Sequence, residues 1–261
     1  MNPFKTFKLE SNEHVATLSL TRAQTLNAIT PQFMDELGTA CEQLASDVET
    51  RVLIITGTGR GFCSGLDLNA LAQIGTTAPP EELRVLVRHW QEVFNALENL
   101  PQVTIAAING ITLGAGIEMI LCCDFRVAST RALFGLPETK LGIIPDLGGL
   151  TRLTRTVGPS WAKEMVLRAR NISAMEALRI GLLNRVADHG DMMGVARKWA
   201  TQFAELPPPA VRQAKRLINS TFDMSLAEGL RVAQDAQLEL LNTEEFRTAV
   251  RAAAEELMKE A

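Results

Sequence analysis

One stretch constrains the fold of this chain more than any other. An apolar run, Val103 to Ile108, enters a turn at Asn109-Gly110, and Gly114-Ala115-Gly116 then opens a helical run that carries Glu118. Glu138 follows Pro137 further along. A strand that feeds small residues into a helix start leaves unpaired backbone N–H groups facing whatever lies above them, a ready site for negative charge. Two carboxylates are therefore expected beside an anion-friendly helix start, and function is expected there.

The flanking segments build the frame for that stretch. Arg51 to Thr56 is a continuous apolar run with the pattern of a strand covered on both faces. It runs into Gly57-Thr-Gly59-Arg-Gly61-Phe-Cys-Ser-Gly65. Phe62 stands where the third glycine of G-x-G-x-x-G belongs, and no G-K-[ST] follows, so a nucleotide loop is disfavoured against a turn that lets backbone approach closely. Upstream, Phe4 to Leu20 alternates as a hairpin or strand pair. Thr21 to Ala28 is a polar connection, and Thr30-Pro31 starts a helix whose apolar face includes Phe33, Leu37, Cys41 and Leu44. Gly75 to Pro80 reads as a mobile loop. Glu81 to Leu100 reads as a helix with Leu83, Val87, Trp90, Phe94 and Leu97 on one face and His89 beside it.

Beyond residue 128 helices are expected: Gly158 to Ala169, Ser173 to Ile180, Asp191 to Leu206, Pro208 to Phe222, Ser225 to Leu241 and Thr243 to Lys259. Leu182 to Val186 is the one candidate strand among them. This order implies a mixed α/β body over residues 1–200 and a helical C-terminal region over 201–261. The stripe of Leu226, Leu230, Ala233, Leu240 and Leu241 is expected to pack on a core or on another subunit.

Composition excludes several classes. With 26 basic against 30 acidic residues, the net charge of −4 provides no footprint for nucleic acid or an anionic membrane. No apolar window approaches the ~20 residues of a spanning helix, and the N-terminal residues lack a secretory pattern. Of the four cysteines, Cys122 and Cys123 are adjacent and match no zinc spacing, so no metal site is expected and a cytoplasmic location is. Cys63-Ser64 with His89 could suggest a hydrolase, but Gly-Phe-Cys-Ser-Gly is not the G-x-S-x-G elbow.

Several ordered motifs carry a resemblance. Gly61-Phe-Cys-Ser-Gly-Leu-Asp-Leu, Ala107-Ile-Asn-Gly-Ile-Thr-Leu-Gly-Ala-Gly-Ile-Glu, Cys123-Asp124 and Gly135-Leu-Pro-Glu-Thr-Lys-Leu-Gly-Ile-Ile-Pro, with Arg22 to Ala28, resemble the enoyl-CoA hydratase (crotonase) family along essentially the whole chain. The resemblance implies an α/β fold: a crotonase-like spiral of ββα units with a helical C-terminal region that builds a homotrimer or a dimer of trimers. It implies an acyl-CoA thioester substrate and no separate cofactor, coenzyme A being part of the substrate. By position it places the oxyanion hole on the N–H groups of Leu66 and Ala115, and the catalytic acids on Glu118 and Glu138. Ser64, Leu66, Asp67, Leu68 and Asn69 fall on the segment that lies along the CoA, and Arg22 falls near its phosphates.

Adding water to a 2-enoyl thioester places negative charge on the thioester oxygen, which two main-chain donors would stabilise by about 3 kcal/mol each. One carboxylate must activate water while the other handles the proton at the α-carbon. Main-chain donors tolerate side-chain change, so Ala115, where relatives usually carry glycine, is compatible with activity. Asp146 stands where hydratases usually have glycine and where relatives that move double bonds place an acid. An enoyl-CoA or dienoyl-CoA isomerase using Glu138, Asp146 or both is the alternative. A non-catalytic binding member of the family is a more distant one. The absence of tyrosine disfavours cleavage of hydroxyaryl-CoA substrates.

Overall fold

The computed structural model describes residues 3–260. The chain divides into two compact units, Met1–Thr201 and Gln202–Ala261.

The first unit opens with an antiparallel hairpin, β1 (Phe7–Asn12) and β2 (Val15–Leu20). Helix α1 (Pro31–Ser46) follows, with the Thr30 side chain accepting the Phe33 N–H at its head and Pro31 in its first turn. Then come β3 (Val52–Gly57), β4 (Gly61–Cys63), α2 (Leu68–Thr77), α3 (Pro80–Glu98), β5 (Val103–Ile108), β6 (Ile111–Leu113) and α4 (Ala115–Leu121). The order continues through β7 (Phe125–Ser129), β8 (Leu133–Gly135), α5 (Gly149–Val166), β9 (Ile172–Ser173), α6 (Ala174–Arg179) and β10 (Arg185–Ala187). Helix α7 (Met192–Ala204) crosses into the second unit, which holds α8 (Pro208–Ser220), α9 (Leu226–Leu241) and α10 (Glu244–Glu260).

A repeating rule organises the strands. From β3 to β8, each longer strand is followed by a short one that joins a different sheet, and a helix then leads back. The first sheet has the order β1-β2-β3-β5-β7-β10, and the second has β4-β6-β8-β9. From β2 through β10 the first sheet is parallel, as are β4, β6 and β8, so the turns stack as a spiral of ββα units. Parallel strands joined by crossovers are covered on both faces, which requires apolar runs rather than alternation. Val52 to Ile55 and Ile105 to Ile108 meet that requirement, all without solvent exposure. The edge strand β1 instead exposes most of its residues.

Three expectations need correction. The segment 75–80 is not a loop, because α2 runs on to Thr77 and α3 starts at Pro80. The Asp67 side chain accepts the N–H groups of Asn69 and Ala70, which starts α2 early enough for it to absorb Gly75. Residues beyond 128 hold more strands than the one expected at Leu182 to Val186, where β10 forms, since β8 and β9 precede it. These strands have two or three residues each, too few for any period to show. The helix expected from Gly158 forms as the second half of α5, but an unexpected helical half from Gly149 precedes it, and Gly158-Pro159 separates the two with φ 77° and ψ 164° at Gly158. Cys41 is core, as its position in the α1 stripe implies. On α9, Leu226, Leu230 and Leu241 are exposed.

Candidate active site

The sheet-to-helix passage at β6-α4 and the loop after β4 are drawn together by small residues. A side chain at Gly116 would meet the Cys63 carbonyl oxygen at 2.6 Å, so only glycine allows α4 to start against the end of β4. Gly114 has φ +51°, and a side chain there would lie 2.8 Å from Glu138 Oε1. The helix start therefore lies directly under the second carboxylate. The intervening N–H groups stay available. Among the described residues, neither the Leu66 nor the Ala115 N–H meets a protein acceptor, while Ile29 and Asp67 complete a bridge around Leu66.

These parts line a cavity of about 440 Å³. Of the residues singled out in the sequence, Ser64, Leu66, Leu68, Ala115, Glu118, Glu138 and Asp146 line it. Arg22, Asp67 and Asn69 do not. Arg22 donates to the Ala28 carbonyl at 2.6 Å and lies 3.6 Å from Asp67, which itself caps α2. His89 stands apart from the cavity as well, with Nε2 3.1 Å from Asp35 Oδ1.

Sequence reasoning missed the apolar wall. Leu71 and Ile74 of α2, with Leu83, Leu86, Val87 and Trp90 of α3, give the cavity its apolar lining. The α3 stripe was visible, but its two halves serve different ends: Val93, Phe94 and Leu97 are core, whereas Leu83 and Val87 face the cavity. Also missed was the Gly149 N–H, which donates to Glu118 Oε1 at 2.8 Å.

Burial governs the electrostatics. Glu118, 2% exposed in the first turn of α4, is pushed up to about 8 by loss of water. The Gly149 N–H opposes that shift, and the charges of Glu138 and Asp146 add to it. Glu138 is raised as well, by burial first and then by Asp146, and its Oε2 is buried without a partner. Asp146, at the exposed rim, is raised by the partial loss of water. Three carboxyl groups lining one cavity titrate as a coupled set, each harder to ionise than a free carboxyl. Such a set can give a proton at one point and take one at another, in a cavity that also holds two free main-chain donors.

Comparison with known proteins places the whole chain beside one family. The enoyl-CoA hydratase/isomerase family profile matches residues 10–260. The chain is 36% identical over 245 residues to a short-chain-enoyl-CoA hydratase of Clostridium acetobutylicum, covering 94% of this chain and 92% of that protein. It is 36% identical over 241 residues to a mitochondrial methylglutaconyl-CoA hydratase of Mus musculus, covering 90% and 76%. A crystal structure of an enoyl-CoA hydratase from Bacillus anthracis superposes with a TM-score of 0.91 at 35% identity, covering 97% of each chain.

Proposed function

This chain belongs to the enoyl-CoA hydratase/isomerase family, and from that premise we propose that it adds water across the double bond of a 2-enoyl-CoA thioester. The observation that carries this reading is the pairing of buried Glu118 and Glu138 on one cavity wall with the unpaired Leu66 and Ala115 N–H groups. Those two N–H groups receive the thioester oxygen as the enolate forms, worth about 3 kcal/mol each. A carboxylate of the pair takes a proton from water, whose oxygen bonds to the β-carbon. The carboxylic acid of the pair delivers a proton to the α-carbon, so the site returns to its starting charge after proton exchange. The pair is assigned jointly, since strongly interacting acids titrate as one system.

Arg22 and the segment from Ser64 to Asn69 are assigned to the CoA moiety, with Asp67 holding both Arg22 and the head of α2 in place. The acyl tail lies against α2 and α3. None of the described lining residues is Lys, Arg or His, while three are carboxylic acids, so the tail is neutral and apolar. A methylglutaconyl group, with its own carboxylate, fits that wall poorly. A homotrimer or dimer of trimers would cover the exposed leucines of α9. Four buried free thiols suit a reducing cytoplasm. No cofactor is required by the proposed chemistry.

Asp146 at the cavity rim favours a second reading, double-bond migration. Turnover of a 2-enoyl-CoA, followed by loss of its conjugated absorbance, against turnover of the 3-enoyl isomer tests the choice. Hydration predicts the larger kcat/KM on the 2-enoyl substrate. An enzyme that ignores it while converting the 3-enoyl substrate is an isomerase, and a chain inert towards both is a binding member.

A further inference from the structure

Glu118 is held by the loop 145–149, and that loop is held from behind. The Gly149 N–H reaches Glu118 Oε1 at 2.8 Å, and the Leu147 N–H also stabilises the ionised carboxylate. On the peptide between those two donors, Arg152 Nη1 donates to the Leu147 carbonyl at 3.1 Å. Its guanidinium fills the space over Gly148, where any side chain would collide with Nη1. The rest of the fork is anchored on α3: Nε and Nη2 donate to Glu98 Oε2 at 3.0 and 2.7 Å, and Nη2 to Asn95 Oδ1 at 2.5 Å. Gln91, one turn earlier on that face, donates to the Asp146 carbonyl at 2.7 Å. Gln91, Asn95 and Glu98 are spaced so that they share one helix face.

We propose that Arg152, which lies outside the cavity lining, is the positioning residue that sets the orientation and ionisation of Glu118. A planar guanidinium is suited to this task, because its fixed donors can engage Glu98, Asn95 and the Leu147 carbonyl at once. The charged and titratable groups that act on Glu118 are Glu138 from the turn after β8, Asp146 from the loop, Cys122 from α4, and Arg152 from α5 with Glu98 behind it. Arg152 is the one cation in this set. Its charge and the N–H groups it holds in place both favour ionised Glu118. Removing them raises the pKa of Glu118 further.

The role of Glu118 in turnover rests on the hydratase reading, so the test has one arm that does not. Isotope-edited infrared titration of glutamate carboxyls, with Glu118→Gln identifying the band, reads the ionisation of Glu118 whatever the reaction. Arg152→Met should move that titration to higher pH, and Arg152→Lys, which keeps the charge but loses the fork, should move it less. In the kinetic arm, Arg152→Lys should lower kcat on the order of 10- to 100-fold, leave KM within about twofold, and shift the limb that reports Glu118 to higher pH. Should Arg152→Met fail to fold through the loss of its contacts with Glu98, Arg152→Lys alone decides. A folded Arg152→Lys enzyme with the wild-type Glu118 titration overturns the proposal. A wild-type enzyme inert towards 2-enoyl-CoA overturns the hydratase reading instead and leaves the infrared result standing.

Discussion

In the six-stranded sheet, β3 presents Val52 to Ile55 to the interior on both faces, whereas the short strands β4, β6 and β8 hold three residues each and end in the segments that reach the cavity. Apolar side chains stabilise the first region simply by losing water, at roughly 25 cal/mol per Å². The second region buries Glu118 and Glu138, whose charged forms resist burial, and leaves Oε2 of Glu138 without a partner. The first region therefore supplies stability and the second spends some of it on reactivity, so a substitution in the first should cost stability alone and one at the buried acids should cost turnover while raising stability.

Glu118→Gln is the largest expected departure. An amide cannot exchange the proton, so kcat should fall on the order of 10²- to 10⁴-fold, and Glu138→Gln should behave alike. Stability should move the other way. The folded-state pKa of Glu118 is raised from 4.5 to about 8, so the folded chain binds more protons than the unfolded one between those values and loses stability as pH climbs through them. Glu118→Gln should therefore unfold at a higher temperature than wild type at pH 8.5, by an energy on the order of a few kcal/mol, with the advantage gone below about pH 4.5. Thermal unfolding at the two pH values decides it. A variant less stable at pH 8.5 would contradict the division of labour between the sheets.

Ile54→Ala probes the other side. Deleting a fully buried side chain from the middle of β3 should cost about 2–5 kcal/mol in denaturant unfolding, while kcat of the folded fraction stays near wild type. A comparable loss of kcat would mean that the two sheets are not separable. The smallest effect is expected at Asp146, because the rim is partly solvated. Asp146→Asn should change kcat/KM on a 2-enoyl-CoA by no more than about threefold. A severe loss on a 3-enoyl-CoA would bring the rim acid into the chemistry and favour isomerisation.

The long strands and capped helices were legible in the sequence because their determinants are local. The apolar run of β3, Thr30-Pro31 at the head of α1 and the strand-glycine-helix order through Glu118 each depend on neighbours within a few residues. The second sheet was not legible, since strands as short as Leu133–Gly135 owe their existence to partners such as Thr112 and Leu113 rather than to any period of their own. The second half of α2 was misread for a related reason: Gly75-Thr-Thr reads as loop, yet a cap at Asp67 and the cavity-facing Leu71 and Ile74 carry it as helix.

By itself the sequence determined the long strands and capped helices, the likeness to one family and the carboxylates worth watching, since composition, period and motif spacing are properties of the chain alone. Only the tertiary structure decided that Glu118 and Glu138 line one cavity, that Gly149 donates to Glu118, that Arg152 donates to that loop, and that α2 and α3 give the cavity its apolar lining. Those outcomes depend on which backbone surfaces meet, as where Gly116 comes against Cys63, and on how far burial lifts a carboxyl above its ordinary range. Contacts between residues far apart in the chain, and the water they exclude, exist only once the sheets have stacked.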